Sequence, residues 1–420
     1  MFADTRPLRN PHFRRLWTAN IVTMIGAQLT VVAVPAQIYA LTSSSGMVGL
    51  TGLFGLVPLV VFGLWGGALA DVFDRRTLLM VTTAGMIATS AAFWGLAATR
   101  VDNVWALLGV FAVQQGFFAV NQPTRSAVLP RILPDAELPA ASALNMTVMQ
   151  AGAIAGPLVG GALIPLVGFS WLYLIDTVCL FATLWAVVKL PPLPIAGVRV
   201  ATPGLHAVVD GLAYLRRHPV LLTSFLVDLI AMIFGMPRAL FPEIAHVDFG
   251  GPPEGGIVFA LLFAAIPLGA VLGGVFSGWV SAVRRQGVAV IVAICVWGAG
   301  MALFGLAVGL ASLFPVWMLA GALIGLVVGG AADMASAAFR QSMLLAAADD
   351  AVRGRLQGVF LVVVVGGPRV ADVVHGGAAD LWGAPLAAGV GGLAVIVATL
   401  ATAAALPAFL RYRPAGREDD

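Results

Sequence analysis

The stretch GGALADVFDRR, Gly66 to Arg76, crowds Asp71, Asp74, Arg75 and Arg76 into six residues of a chain that is 60% hydrophobic and only 10% charged. Apolar runs flank it, 47–70 before and 77–98 after. Each is long enough to cross a hydrocarbon layer of about 30 Å. Charge confined to such a junction reads as a loop at a membrane surface, joining two spanning helices.

The same pattern repeats along all 420 residues. Mean hydropathy is +0.98, and the charged fraction is far below the roughly 25% of soluble domains. The chain therefore reads as an all-α polytopic membrane protein. Barrel strands would be shorter and would alternate apolar with polar residues. Forty-nine glycines fit helices that approach closely in lipid. Twelve spans are predicted, at 16–41, 47–70, 77–98, 103–125, 142–167, 170–190, 219–243, 256–282, 287–309, 313–338, 356–379 and 384–410. The charged N-terminus precedes a long apolar run without a small-residue cleavage site, so the first span reads as uncleaved.

An even number of spans places both termini on one side. With that side cytoplasmic, the 23 basic residues sort sharply. Arg100 alone falls in an outer loop and Arg238 and Arg369 fall inside spans, which leaves twenty in inner loops and tails. This is the positive-inside asymmetry of a multi-pass inner-membrane protein with cytoplasmic termini. A pI near 9.2 is thereby explained without nucleic acid. Cys179 and Cys295 lie within apolar segments and read as core filler.

The longest loop, 191–218, divides the chain into six-span halves, 1–190 and 219–420. Within it Leu205, Val208, Val209, Leu212 and Leu215 recur at helical spacing, which predicts a short interfacial helix with Arg216 and Arg217 near lipid phosphates. The halves echo each other. Arg125 is followed ten residues later by Asp135, and Arg340 ten residues later by Asp350. GGALADVFDRR is answered by GGVFSGWVSAVRRQG at the end of the eighth span. Two related six-helix bundles with a site between them are a recurrent transporter design.

At the opening stretch, a carboxylate at the surface can cap a helix N-terminus, and the arginines can hold carboxylates or phosphates. The alternative is an ordinary charged loop. Gly67, Ala70, Asp71, Arg75 and Arg76 resemble the major facilitator superfamily signature between the second and third spans. The resemblance implies the major facilitator fold, with Gly67, Asp71, Arg75 and Arg76 gating its inward and outward states. The second-half copy keeps Arg284 and Arg285 but has Gly278 where the acid would stand.

In the fifth span, Gly152, Gly156 and Gly160 form a small-residue stripe beside the kinking Pro157. Close helix packing is one reading. With Gly161, the G-x-x-x-G-P-x-x-G-G pattern also resembles the superfamily's exporter motif, which implies efflux. VAVPAQIYALTSSSGMVGL, PRALFP, FAAIPLGAVLGGVFSG and RGRLQGV resemble the enterobactin-exporter branch along nearly the whole chain. That resemblance implies a secondary-active, proton-coupled antiporter carrying a siderophore or an amphipathic drug-like compound. It also implies action as a monomer. An importer or a lipid flippase on the same fold is the alternative. One departure concerns coupling: the arginine often found three residues before a Gln-Gly pair in the fourth span is replaced here by Ala112, before Gln115–Gly116.

Ionisable groups at membrane depth cost about 2.5–3.5 kcal/mol on insertion scales and so point to function. Asp228 near the middle of the seventh span is a coupling candidate, set against a buried ion pair that only orders the bundle. Arg238 either attracts an anionic substrate or pairs with Glu243. Asp333 in the tenth span either meets a cation or proton, or pairs with Arg340. Arg369 and Asp372 neutralise each other at i, i+3. Asp176 in the sixth span reads as structural. Gln28, Gln37, Gln115 and Asn121 are polar candidates for substrate recognition.

No cofactor is expected; the proton gradient would supply the energy. There is no G-x-x-x-x-G-K-[ST] loop for ATP. The five histidines are scattered, without metal-ligand spacing or a catalytic constellation, so no metal and no enzymatic activity are expected. The partners expected are a small-molecule substrate and membrane lipid.

Overall fold

The computed structural model describes residues 4–191, 213–347 and 350–412, with 64–72, 281, 345–347 and 350–364 described by backbone alone. The interfacial helix expected within 191–218 falls largely outside the described residues. Among the described residues every regular element is helical. Ten segments are long and apolar enough to cross a membrane. One of them is two legs, and Asp350–Trp382 adds a further helix with a higher charge content, giving twelve.

These are α1 Pro11–Thr42, α2 Ser45–Val72, α3 Arg75–Ala98 and α4 Val104–Ile132. The α5 and α6 legs of Leu138–Val188 meet at Gly168, whose φ of 77° breaks the helix. Such a conformation favours glycine, which has no Cβ to clash. Next come α7 Pro219–Phe234, α8 Ile257–Val275, α9 Gln286–Gly309, α10 Pro315–Ala347, α11 Asp350–Trp382 and α12 Ala384–Ala405.

Two differences from the predicted spans have local causes. The seventh span is not continuous to residue 243. α7 stops at Phe234, and the chain resumes as a 3₁₀ turn at Arg238–Leu240 and a π turn at Ile244–Asp248. Pro237 lacks an N–H and restrains the residue before it. The Phe234 carbonyl, freed by the break, meets His375 Nε2 at 3.1 Å, and Ala231 O, which already accepts from Gly235 N at 2.9 Å, also accepts from Trp297 Nε1 at 3.3 Å. A broken helix at membrane depth requires such substitutes. The eighth span also ends early, at Val275, and Ser277–Ala282 turns as a 3₁₀ helix.

The chain forms two compact units. Unit 1 comprises 1–41, 54–204 and 254–260, and unit 2 comprises 42–53, 205–253 and 261–420. In unit 1, α3 packs on α4 and the α5–α6 legs. Asp176 of α6, 2% exposed, is its polar hub. It accepts hydrogen bonds from Thr30 Oγ1 at 2.7 Å and Ser90 Oγ at 2.9 Å, which joins α1, α3 and α6. In unit 2, α9 packs on α10 and α12, and α7 on α11 and α12. Glycine makes these approaches possible: a Cβ on Gly273 would lie 2.8 Å from the Ala331 carbonyl oxygen.

Candidate functional site

The opening stretch resolves into two helix caps. Asp74 caps α3, accepting from Thr77 N at 2.9 Å. Arg76 Nη2 donates at 2.7 Å to Val188 O, at the C-terminal end of α6. Acid at an N-terminus and base at a C-terminus both complement the helix dipole. The capping acid is thus Asp74 rather than Asp71. Gly67 and Asp71 lie on α2 in the segment described by backbone alone, and Arg75 is half-buried beside them in sequence.

The exporter-motif glycines press against α1. A Cβ on Gly152 would strike Met24, one on Gly156 would strike Gln28, and one on Gly160 would lie 2.8 Å from Val32 Cγ2. Gly161 O accepts from Gly256 N at 2.9 Å, and a Cβ on Gly161 would lie 2.8 Å from Ala260 Cβ. Pro157 is buried between them in sequence. The motif therefore seats α5 against α1 and against the start of α8, all within unit 1.

A cavity of about 330 Å³ opens inside unit 1. Its walls follow helical periodicity: Phe13, Trp17, Asn20 and Met24 from α1, Phe118, Asn121, Gln122, Arg125 and Ser126 from α4, and Ser142, Asn145, Met146 and Met149 from α5. This is the volume range and the mostly apolar, sparsely polar lining of small-molecule pockets. Arg125 is its cation. Its one hydrogen bond among the described residues is to a backbone carbonyl, Leu16 O, at 3.3 Å. The indole N–H of Trp17 is buried without an acceptor among the described residues. A cation that has no carboxylate partner among the described residues brings a charged donor group to this cavity, suited to an anionic or oxygen-rich ligand.

Of the polar candidates, Asn121 belongs to this cavity, although it is 5% exposed and donates to Thr82 Oγ1 at 2.8 Å. Gln37 is spoken for: Tyr173 Oη donates to its Oε1 at 2.8 Å, between α6 and α1. Gln28 packs on Gly156, and Gln115 is half-buried outside the cavity lining.

Unit 2 holds a charge triad. Arg340, predicted to lie in a loop, sits on α10 with its side chain 5% exposed and is ion-paired with Asp228 of α7. Asp333 approaches the same guanidinium at 4.0 Å, and its side chain is 31% exposed. Arg340 Nε also donates to Ser336 Oγ at 3.1 Å. Asp333, Ser336 and Arg340 share one face of α10 at i, i+3, i+7. Two carboxylates and one guanidinium leave the group one negative charge in excess when all are ionised.

A second cluster sits beyond the break in the seventh span. Asp372 of α11, 6% exposed, lies in the field of both Arg369 and Arg238. The predicted Arg369–Asp372 pair thus has a second cation. Glu243, the alternative partner for Arg238, instead accepts from Ser45 Oγ at the start of α2. Asp380 receives Gly46 N at 3.0 Å and Ser44 Oγ at 3.1 Å, so the N-terminus of α2 is held by α11 within unit 2.

Relatives share this chain over most of its length. It is 28% identical over 422 residues to the enterobactin exporter EntS of Citrobacter koseri, covering 96% of this chain and 94% of the relative. It is 30% identical over 383 residues to the EntS of Shigella boydii serotype 18, covering 88% and 85%. Among solved structures, the nucleoside transporter NupG superposes with a TM-score of 0.73 at 14% identity, covering 96% of this chain and 100% of that one. A D-xylose–proton symporter gives 0.72 at 12% identity, covering 94% and 97%. These structures share the fold, the twelve-helix major facilitator architecture. The model of the family described as "transmembrane secretion effector" matches residues 3–413. The chain belongs to this family of the major facilitator superfamily, a multi-pass membrane transporter and not an enzyme.

Proposed function

We propose that this protein exports a siderophore or a related anionic amphipathic compound across the bacterial inner membrane by alternating access. The likeness to enterobactin exporters over almost the whole chain carries this reading. The unit 1 cavity supports it. Arg125, without a carboxylate partner among the described residues, offers donors to an acidic, oxygen-rich compound, while Phe118 and the methionines offer apolar contact. The fifth-span motif, seated against α1 and the start of α8, supports efflux over uptake.

Coupling to protons is assigned to the Asp228–Arg340–Asp333 triad. Ala112 removes the usual fourth-span arginine, whereas the triad provides two acids that compete for one base. Asp228 is locked to Arg340. Asp333 is the more exposed acid and the one able to load and release a proton without dismantling the buried pair. The predominance of basic residues at the loops, tails and helix ends of one side, Arg340 within its helix set aside, supports cytoplasmic termini. No oligomeric contact enters this reading, and one chain forms the transport unit.

Everted inner-membrane vesicles containing the full chain test the proposal. Acidifying their lumen should drive accumulation of a radiolabelled siderophore, and collapse of the gradient should abolish it. Uptake that is indifferent to the gradient would overturn proton coupling. Absence of uptake with every siderophore and amphipathic dye tried would overturn export.

A further inference from the structure

On unit 2, the cytoplasmic-side ends of α8, α9 and α10 leave a groove of about 650 Å³. Its walls are hollow because small residues stand where the three helices face one another: Gly273 on α8, Ala289 on α9 and Ala332 on α10. Trp279 stands at its rim with 54% of its surface exposed. Apolar side chains facing outward are ordinary in a membrane protein. A concave apolar slot that ends at a cation is a more specific feature.

That cation is Arg285, exposed at the start of α9, and no described residue pairs with it. From Arg285 the groove follows α9 to Val296. Eleven residues of helix rise about 16 Å, and half of a hydrocarbon core of about 30 Å is about 15 Å. The groove is therefore one leaflet deep. It has a positive end at the headgroup level, an indole at the interface and an apolar floor toward the bilayer centre. Those are the requirements of an acyl chain beneath an anionic headgroup.

We infer that this groove is a binding site for one anionic phospholipid, its phosphate at Arg285 and an acyl chain between α8, α9 and α10. The placement on the cytoplasmic leaflet rests on the orientation proposed above; the binding itself does not.

Native mass spectrometry of the full chain, released from detergent micelles containing dioleoyl phosphatidylglycerol or dioleoyl phosphatidylcholine, tests this. One phosphatidylglycerol should be retained in preference to phosphatidylcholine. Arg285→Gln, at an exposed position, should lower that retention roughly fivefold, the effect of one basic side chain at a membrane surface. Ala332→Phe, which fills the slot, should abolish it, and Ala289→Leu serves if that variant does not fold. Equal retention of the two lipids, or retention untouched by filling the slot, would overturn the inference. The assay involves no transport, so its outcome is separate from that of the export reading.

Discussion

Arg340 of α10 is ion-paired with Asp228 of α7, and both side chains are all but sealed from solvent. Removing one partner of such a pair strands a buried charge, which costs about 3–5 kcal/mol. Arg340→Ala strands Asp228 and also frees Asp333. This variant should unfold at a clearly lower temperature than the parent in the same detergent. Asp228→Asn combined with Arg340→Gln should recover much of that loss. Equal stability of the parent and Arg340→Ala would mean that the pair does not order unit 2.

Asp333 shares the same guanidinium from 4.0 Å but is partly exposed. Its removal should spare stability and strike coupling. In proteoliposomes, Asp333→Asn should transport at a rate unaffected by an imposed pH gradient, while the parent accelerates several-fold. If the variant accelerates as the parent does, the proton is carried elsewhere.

Among the described residues Arg125 makes one hydrogen bond, to Leu16 O. Arg125→Gln should therefore fold normally and weaken binding of an acidic siderophore at least tenfold, the scale of one lost charge-assisted hydrogen bond. Binding of a neutral amphipathic dye should change little. Binding isotherms on the purified protein decide the matter. An equal loss for both ligands would point to a structural role for Arg125 instead.

Asp74 caps α3, whereas for Asp71, near the end of α2, we propose a gating role. Asp74→Ala should destabilise the protein by about 1 kcal/mol through the lost α3 cap. Asp71→Asn should leave stability unchanged and slow transport. Parallel thermal melts and transport rates check both, and normal transport by Asp71→Asn at normal expression would remove its gating role.

The apolar runs alone made the twelve helices legible, because in lipid the backbone must satisfy itself. Charge was read less well. A hydropathy window ends a span where an arginine appears, so Arg125 and Arg340 were expected in loops. The helices continue through them, to Ile132 and Ala347. The signal was present in periodicity: Arg125 lies four residues after Asn121, and Arg340 seven after Asp333, each on one helical face. The break in the seventh span was likewise written as Gly235-Met236-Pro237, but its hydropathy runs on unbroken. The partner that meets the freed Phe234 carbonyl, His375, comes from α11, and no local pattern announces it. Gln37 reads as a substrate contact in isolation; only the fold brings Tyr173 to it.

Export of a siderophore-like compound can be read from the culture medium. The host lacking this gene would be grown short of iron, and iron-chelating metabolites quantified inside and outside the cells. Export predicts accumulation inside with reduced secretion, restored by the parent chain but not by Arg125→Gln. Unchanged secretion in the deletion strain would contradict it.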